Sequence, residues 1–100
     1  MIIVTTENVA GYRVVQTKGY VVGTAVRGVT GFLGSFGIET NGALRTLEET
    51  RDRVANRLAT NAQAVGANGV IMMRFDSAEI GEDAIEIIAY GTAVVLEPVT

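Results

Sequence analysis

Between residues 44 and 65 the chain changes character. Leu47, Val54, Leu58, Ala62 and Val65 fall on one stripe of a 3.6-residue repeat, while Glu48, Glu49, Asp52, Arg53 and Arg57 fill the other faces. This pattern predicts one amphipathic helix. Asn41 and a Thr46-x-x-Glu49 capping box are alternative starts, and Gly66 followed by Asn68-Gly69 marks the end. No second segment repeats the pattern, so the rest of the core has to come from strands.

The strand signals are distributed on both sides of the helix. Residues 2–5 read as a short strand, and residues 12–26, rich in Val, Tyr and Thr but interrupted by Gly19 and Gly23, as a long or twice-bent one. Residues 70–76 and 84–96 supply two more, flanking a turn over residues 77–83. The expected architecture is therefore α+β, with elements in the order β-β-α-β-β and the helix packed on one face of a small sheet. Between the second strand and the helix, glycines at 28, 31, 34, 37 and 42 alternate with Phe32, Leu33, Phe36 and Ile38, a composition that predicts a long irregular connection over residues 28–42. Pro98 follows the last strand, where its missing amide hydrogen is harmless.

One hundred residues fit one domain, and with 48% apolar residues the chain can bury a core. A formal charge of −3, with Lys18 and seven arginines as the cations, argues against a surface for nucleic acid or anionic lipid. The absence of cysteine rules out disulfides and thiolate sites. The start Met-Ile-Ile-Val-Thr-Thr has no signal-peptide pattern, which makes a cytoplasmic location the expectation. The apolar runs fall short of the roughly 18–20 residues of a membrane helix.

A strand covered on one face should alternate apolar and polar residues. Tyr20-Val21-Val22, Val70-Ile71-Met72-Met73 and Val94-Val95-Leu96 are instead apolar on both faces. One helix of about 22 residues, roughly 33 Å long, shields only one face, so the other requires a partner. A second copy of the chain is the favoured cover, with the Phe32 and Phe36 connection as the alternative.

The candidate sites are few. Asp76, Glu79, Glu82, Asp83 and Glu86 offer hard oxygen ligands for calcium or magnesium, but Ala78 and Ile80 stand where an EF-hand loop beginning at Asp76 needs oxygen, so a solvated hairpin tip is the better reading. The glycine run before the helix lacks both the Gly-Lys-Ser/Thr ending of a phosphate loop and the G-x-G-x-x-G fingerprint. It therefore reads as a lid-like or interface-forming loop in which Phe32 and Phe36 cover a pocket or insert between subunits. No histidine is present to activate a Ser or Thr nucleophile, so no catalytic residue is assigned. Glu48 with Arg51 and Glu49 with Arg53 have the spacing of helix-surface ion pairs. Arg27, at the end of an apolar strand, is the most suggestive single charge, placed to pair with a neighbouring subunit's carboxylate or to hold an anion.

Thr5-Thr6, Gly19-Tyr20-Val21-Val22-Gly23 running into Val26-Arg27-Gly28, Gly66-Ala67-Asn68-Gly69-Val70 and Gly91-Thr92-Ala93-Val94 together resemble the YbjQ-like family over nearly the whole chain. The resemblance implies a dodecin-like subunit and a homopentameric ring, alone or stacked, in which edge strands assist assembly. It also carries a heavy-metal-binding label. That role is not transferred, because soft and borderline metals want thiolate or imidazole, and Met72 and Met73 are expected on opposite faces of a strand. No cofactor is expected. The functional expectation is a non-enzymatic homo-oligomeric scaffold or small-ligand-binding ring, with a metal- or anion-binding module using carboxylates or Arg27 as the alternative.

Overall fold

The computed structural model describes residues 1–28, 40–81 and 84–100. The elements are β1 (Ile2–Ile3), β2 (Tyr12–Gly28), α1 (Thr40–Ala64), β3 (Gly69–Glu79) and β4 (Ala84–Pro98). They form an α+β unit in which one sheet, ordered β1-β3-β4-β2, carries the helix on one face. β4 is central and antiparallel to both long neighbours, while β1 is parallel to β3.

The β2–β4 ladder dictates the shape. It runs from Tyr12 opposite Pro98 to Gly28 opposite Ala84. At about 3.4 Å per residue its seventeen-residue strand accounts for a longest dimension of 53 Å against 24 and 18 Å for the others. Of the two glycines expected to interrupt the strand, Gly19 adjoins an irregularity while Gly23 pairs in unbroken register with Ala89; the two register shifts fall between Val14 and Gln16 and between Thr17 and Gly19. Each leaves an unpaired residue, Val15 or Lys18, on the outer strand. Gly19, with φ of 106°, supplies a backbone conformation that L side chains avoid.

The second hairpin differs from the sequence expectation. β3 continues to Glu79, with Ser77 opposite Ile87 and Glu79 opposite Ile85, so the turn expected over residues 77–83 begins only after Glu79. The Ile80 amide donates to the Ala84 carbonyl at 2.8 Å. β3 also contains an irregularity between Ile71 and Arg74, where Met72 has φ of 56°. Met73 packs on the core and Met72 is exposed. The two methionines do separate, through a bulge that simple alternation would not have supplied.

α1 starts at Thr40, earlier than expected, so Asn41 and Thr46 lie within the helix and neither is its cap. Its end is a Schellman motif: Gly66 N–H donates to Gln63 O at 3.0 Å, Ala67 N–H to Ala62 O at 3.1 Å, and Gly66 has φ of 85°. Val54, Leu58 and Ala62 are fully buried and Leu47 is half-buried, but Val65 is exposed because it lies beyond the last turn. Buried Thr50 completes the inward stripe. These residues meet Val21, Ala25, Val70, Ile87, Ala89 and Ala93. Of the connection expected over residues 28–42, Gly28 belongs to β2 and residues 40–42 to α1; Phe32 and Phe36 lie outside the described residues.

Asn68 joins the two halves of the chain. Its backbone N–H donates to Val94 O at 3.1 Å, its Nδ2 to Leu96 O at 2.9 Å, and its Oδ1 accepts from Leu96 N–H at 2.7 Å. The side chain thus acts as an extra ladder position that anchors the start of β3 on β4.

Gly23 is where helix and sheet approach most closely. An added Cβ would press on the Val54 carbonyl oxygen and sit 2.6 Å from the Leu58 amide nitrogen. Both are main-chain atoms that cannot rotate away. Gly23→Ala is therefore expected to cost about 1–3 kcal/mol by overpacking, read as a lower urea midpoint with unchanged m-value. Met72→Gly should act oppositely, gaining about 1 kcal/mol by relieving a left-handed residue that makes little use of its side chain, measured by the same unfolding curve.

Candidate functional site

Three surfaces follow from this arrangement. The first is the sheet face turned away from α1. Val21, Gly23 and Ala25 point to the helix, so Tyr20, Val22, Thr24 and Val26 point the other way. They pair with Thr92, Tyr90, Ile88 and Glu86 of β4. Tyr20 is 85% exposed and Val26 59%, and Val22 and Tyr90 are also open. At the other end of the molecule Val94 and Leu96 are buried outside the helix-side cluster. The doubly apolar pattern thus corresponds to real cover at Val94 and Leu96 and to open surface around Tyr20 and Val22.

The second surface is a groove of roughly 460 Å³ between α1 and the outer edge of β2. Arg53, Asn56, Arg57, Thr60 and Asn61 form one helical stripe along it, with Val22 and Thr24 on the strand side. Asn61 Nδ2 donates to the Val22 carbonyl at 2.7 Å and Arg57 Nη1 to the Thr24 carbonyl. These bonds satisfy two outward-facing carbonyls of an edge strand and hold both side chains in place. Thr60 Oγ1 donates to the Asn56 carbonyl at 3.0 Å, within the helix. Among the described residues no carboxylate lines the groove.

The third is a cleft of roughly 420 Å³ on the opposite flank of α1. Leu47, Phe75, Ile85 and Ile87 give it apolar walls, and Arg51, Asp76 and Ser77 give it polar ones. Asp76 Oδ1 accepts from the Ser77 amide at 2.8 Å.

The residues singled out in the sequence are distributed differently from expectation. Arg27 is half-buried at the far end of β2, opposite Ile85, and lines neither opening. Asp76 and Glu79 stand three residues apart on a strand and so project to opposite faces, while Glu82 and Asp83 lie outside the described residues. Among the described residues no three Asp, Glu, His or Cys side chains gather as metal ligands. The helix pairs Glu48–Arg51 and Glu49–Arg53 are not formed; the ion pair recorded among the described residues joins Arg13 to Glu97 across β2 and β4 at 3.4 Å, with both side chains exposed. The stripe Arg53, Asn56, Arg57, Thr60 and Asn61 was missed as a unit, although its i, i+3, i+4 spacing and lack of acid were visible in the sequence. No helix among the described residues is long and apolar enough to cross a membrane.

Comparison with known proteins places the chain. It is 50% identical to a UPF0145 protein of Bradyrhizobium sp. (strain ORS 278), covering 98% of this chain and 95% of that one. A UPF0145 protein of Halalkalibacterium halodurans is 42% identical, with 97% and 98% covered, and one from Thermoplasma acidophilum 39%, with 100% and 90% covered. Among solved structures, a protein of unknown function in the DUF74 family from Pediococcus pentosaceus superposes with a TM-score of 0.68 at 19% identity, covering 97% of this chain and 98% of that one. That likeness shows a shared fold. A family model described as "Putative heavy-metal-binding" matches residues 1–97, and the chain accordingly belongs to the YbjQ-like (UPF0145) family.

Proposed function

We propose that this protein is the subunit of a non-enzymatic homo-oligomeric ring, a scaffold or small-ligand binder whose assembly covers the sheet face opposite α1. The observation that carries this reading is the exposure of Tyr20, Val22, Val26 and Tyr90 on adjacent strands. Burying such a surface is worth about 25 cal/mol per Å² of apolar area, and a contiguous apolar face of this kind marks an interface. A five-membered ring is what the family resemblance implies.

The edges of the sheet support the same reading. The N-terminal segment accompanies β3 only as far as Met73, through Val4 O accepting from Met73 N–H and Thr6 O from Met72 N–H. Beyond it Phe75–Glu79 has β4 on one side and no strand on the other among the described residues. β2 is a poorer template for strand addition, because of its two irregularities, Lys18, and the carbonyls capped by Arg57 and Asn61. Strand addition at the distal half of β3 would extend the ladder from one subunit to the next.

The heavy-metal role that the family's description suggests does not fit these residues. The chain has no Cys and no His, the donors that soft and borderline ions require. The absence of His and Cys, with Lys18 as the one lysine, likewise leaves few groups for acid–base or nucleophilic chemistry.

Light scattering on a size-exclusion column and native mass spectrometry count the subunits. A ring of about five is expected for the wild type, as the resemblance implies; a monomer at micromolar concentration refutes the proposal. Tyr20→Glu combined with Tyr90→Glu should reduce the count, since two desolvated carboxylates cost several kcal/mol, while circular dichroism stays unchanged because both side chains are already exposed in the single chain.

A further inference from the structure

We propose that the groove between α1 and the edge of β2 is a binding site for a small anion, a phosphate- or carboxylate-bearing metabolite recognised by Arg53 and Arg57. The two arginines stand one helical turn apart on the same stripe and face the same opening, with Asn56 between them. In a chain of net charge −3 this local excess of cations runs against the overall balance.

The donors are arranged in advance. Arg57 uses Nη1 on the Thr24 carbonyl, which fixes its guanidinium against the strand and leaves its remaining N–H groups available. Asn61 is fixed in the same way on Val22. Arg53 makes no ion pair among the described residues, although Glu49 lies four residues before it. The carboxylate tied to a lining residue is that of Glu86, which accepts from Thr24 Oγ1 at 3.2 Å. Glu86 is not itself among the residues that line the groove, although the hydroxyl it accepts from belongs to one that does. The arginine forks match planar or tetrahedral oxyanions bidentately and do not match a metal cation.

The recognising side chains Arg53 and Arg57 lie on α1 and not on the sheet face assigned to assembly, although Val22 borders both surfaces, so ligand binding tests one reading and the subunit count the other. Calorimetry and nitrogen–proton NMR of the arginine and asparagine side chains should be run on the full chain with pyrophosphate and with citrate, at ionic strength held constant with sodium chloride. Saturable binding is expected, with shifts confined to Arg53, Arg57 and Asn56; tighter pyrophosphate identifies a phosphate ligand and tighter citrate a polycarboxylate. Arg53→Gln should weaken it about tenfold or more, in line with loss of a charge-assisted pair, and Arg13→Gln, outside the groove, should leave it unchanged. Arg53 is the cleaner test because it holds no strand carbonyl. Binding that tracks ionic strength alone, or that falls equally with Arg13→Gln, overturns the proposal. A subunit count altered by Arg53→Gln overturns it as well, since the groove would then be an interface between copies.

Discussion

The seating of α1 on β2 at Gly23 is the contact from which the other surfaces follow. With no side chain at that position, the helix backbone around Val54 and Leu58 comes down against the strand, and Leu58 and Ala62 reach Val21 and Ala25. Close approach increases dispersion contact and expels water from the apolar stripe. It also brings Arg57 and Asn61 within hydrogen-bonding distance of the edge carbonyls of Thr24 and Val22. A helix held further away would leave those carbonyls open and the groove without its fixed donors.

Among the described residues, the helix packs on one face of the sheet, in a molecule 53 Å long. Satisfying one face of a sheet with one helix leaves the other with whatever its strands carry, and here they carry Tyr20, Val22, Val26 and Tyr90. The same asymmetry explains why the sheet has two kinds of edge. β2 is protected by bulges, by Lys18 and by capped carbonyls, whereas the distal half of β3 outruns the short N-terminal strand that pairs with its beginning. The family relationship gives the fold context and leaves the chemistry to be read from the residues. Those residues offer guanidinium and amide donors where a heavy-metal centre would need sulfur or imidazole.

Much of the fold was legible because each signal was local. The helix stripe through Val54, Leu58 and Ala62, the Schellman stop at Gly66 and the glycine-interrupted second strand depend on neighbours within one turn or one pleat. The errors arose where partners distant in sequence decide. β3 outlasts its expected end because Ser77–Glu79 finds Ile85–Ile87 across the turn, a pairing that outweighs the polar character of those residues. α1 also begins at Thr40, ahead of both expected starts. The surface ion pairs expected from spacing did not form, as solvated charges gain little by closing.

By itself the sequence determined the α+β class, the single amphipathic helix and its stop, and the absence of thiolate and imidazole ligands, because these depend on periodicity and on which atoms exist. Only the tertiary structure decided which apolar strand residues are covered and which stay open. It alone divided the arginines, bringing Arg53 and Arg57 to a shared groove and leaving Arg27, already expected at a strand end, outside it. That division depends on helix seating and strand register, which are set by contacts between residues thirty or more positions apart, such as Arg57 with Thr24 and Asn61 with Val22.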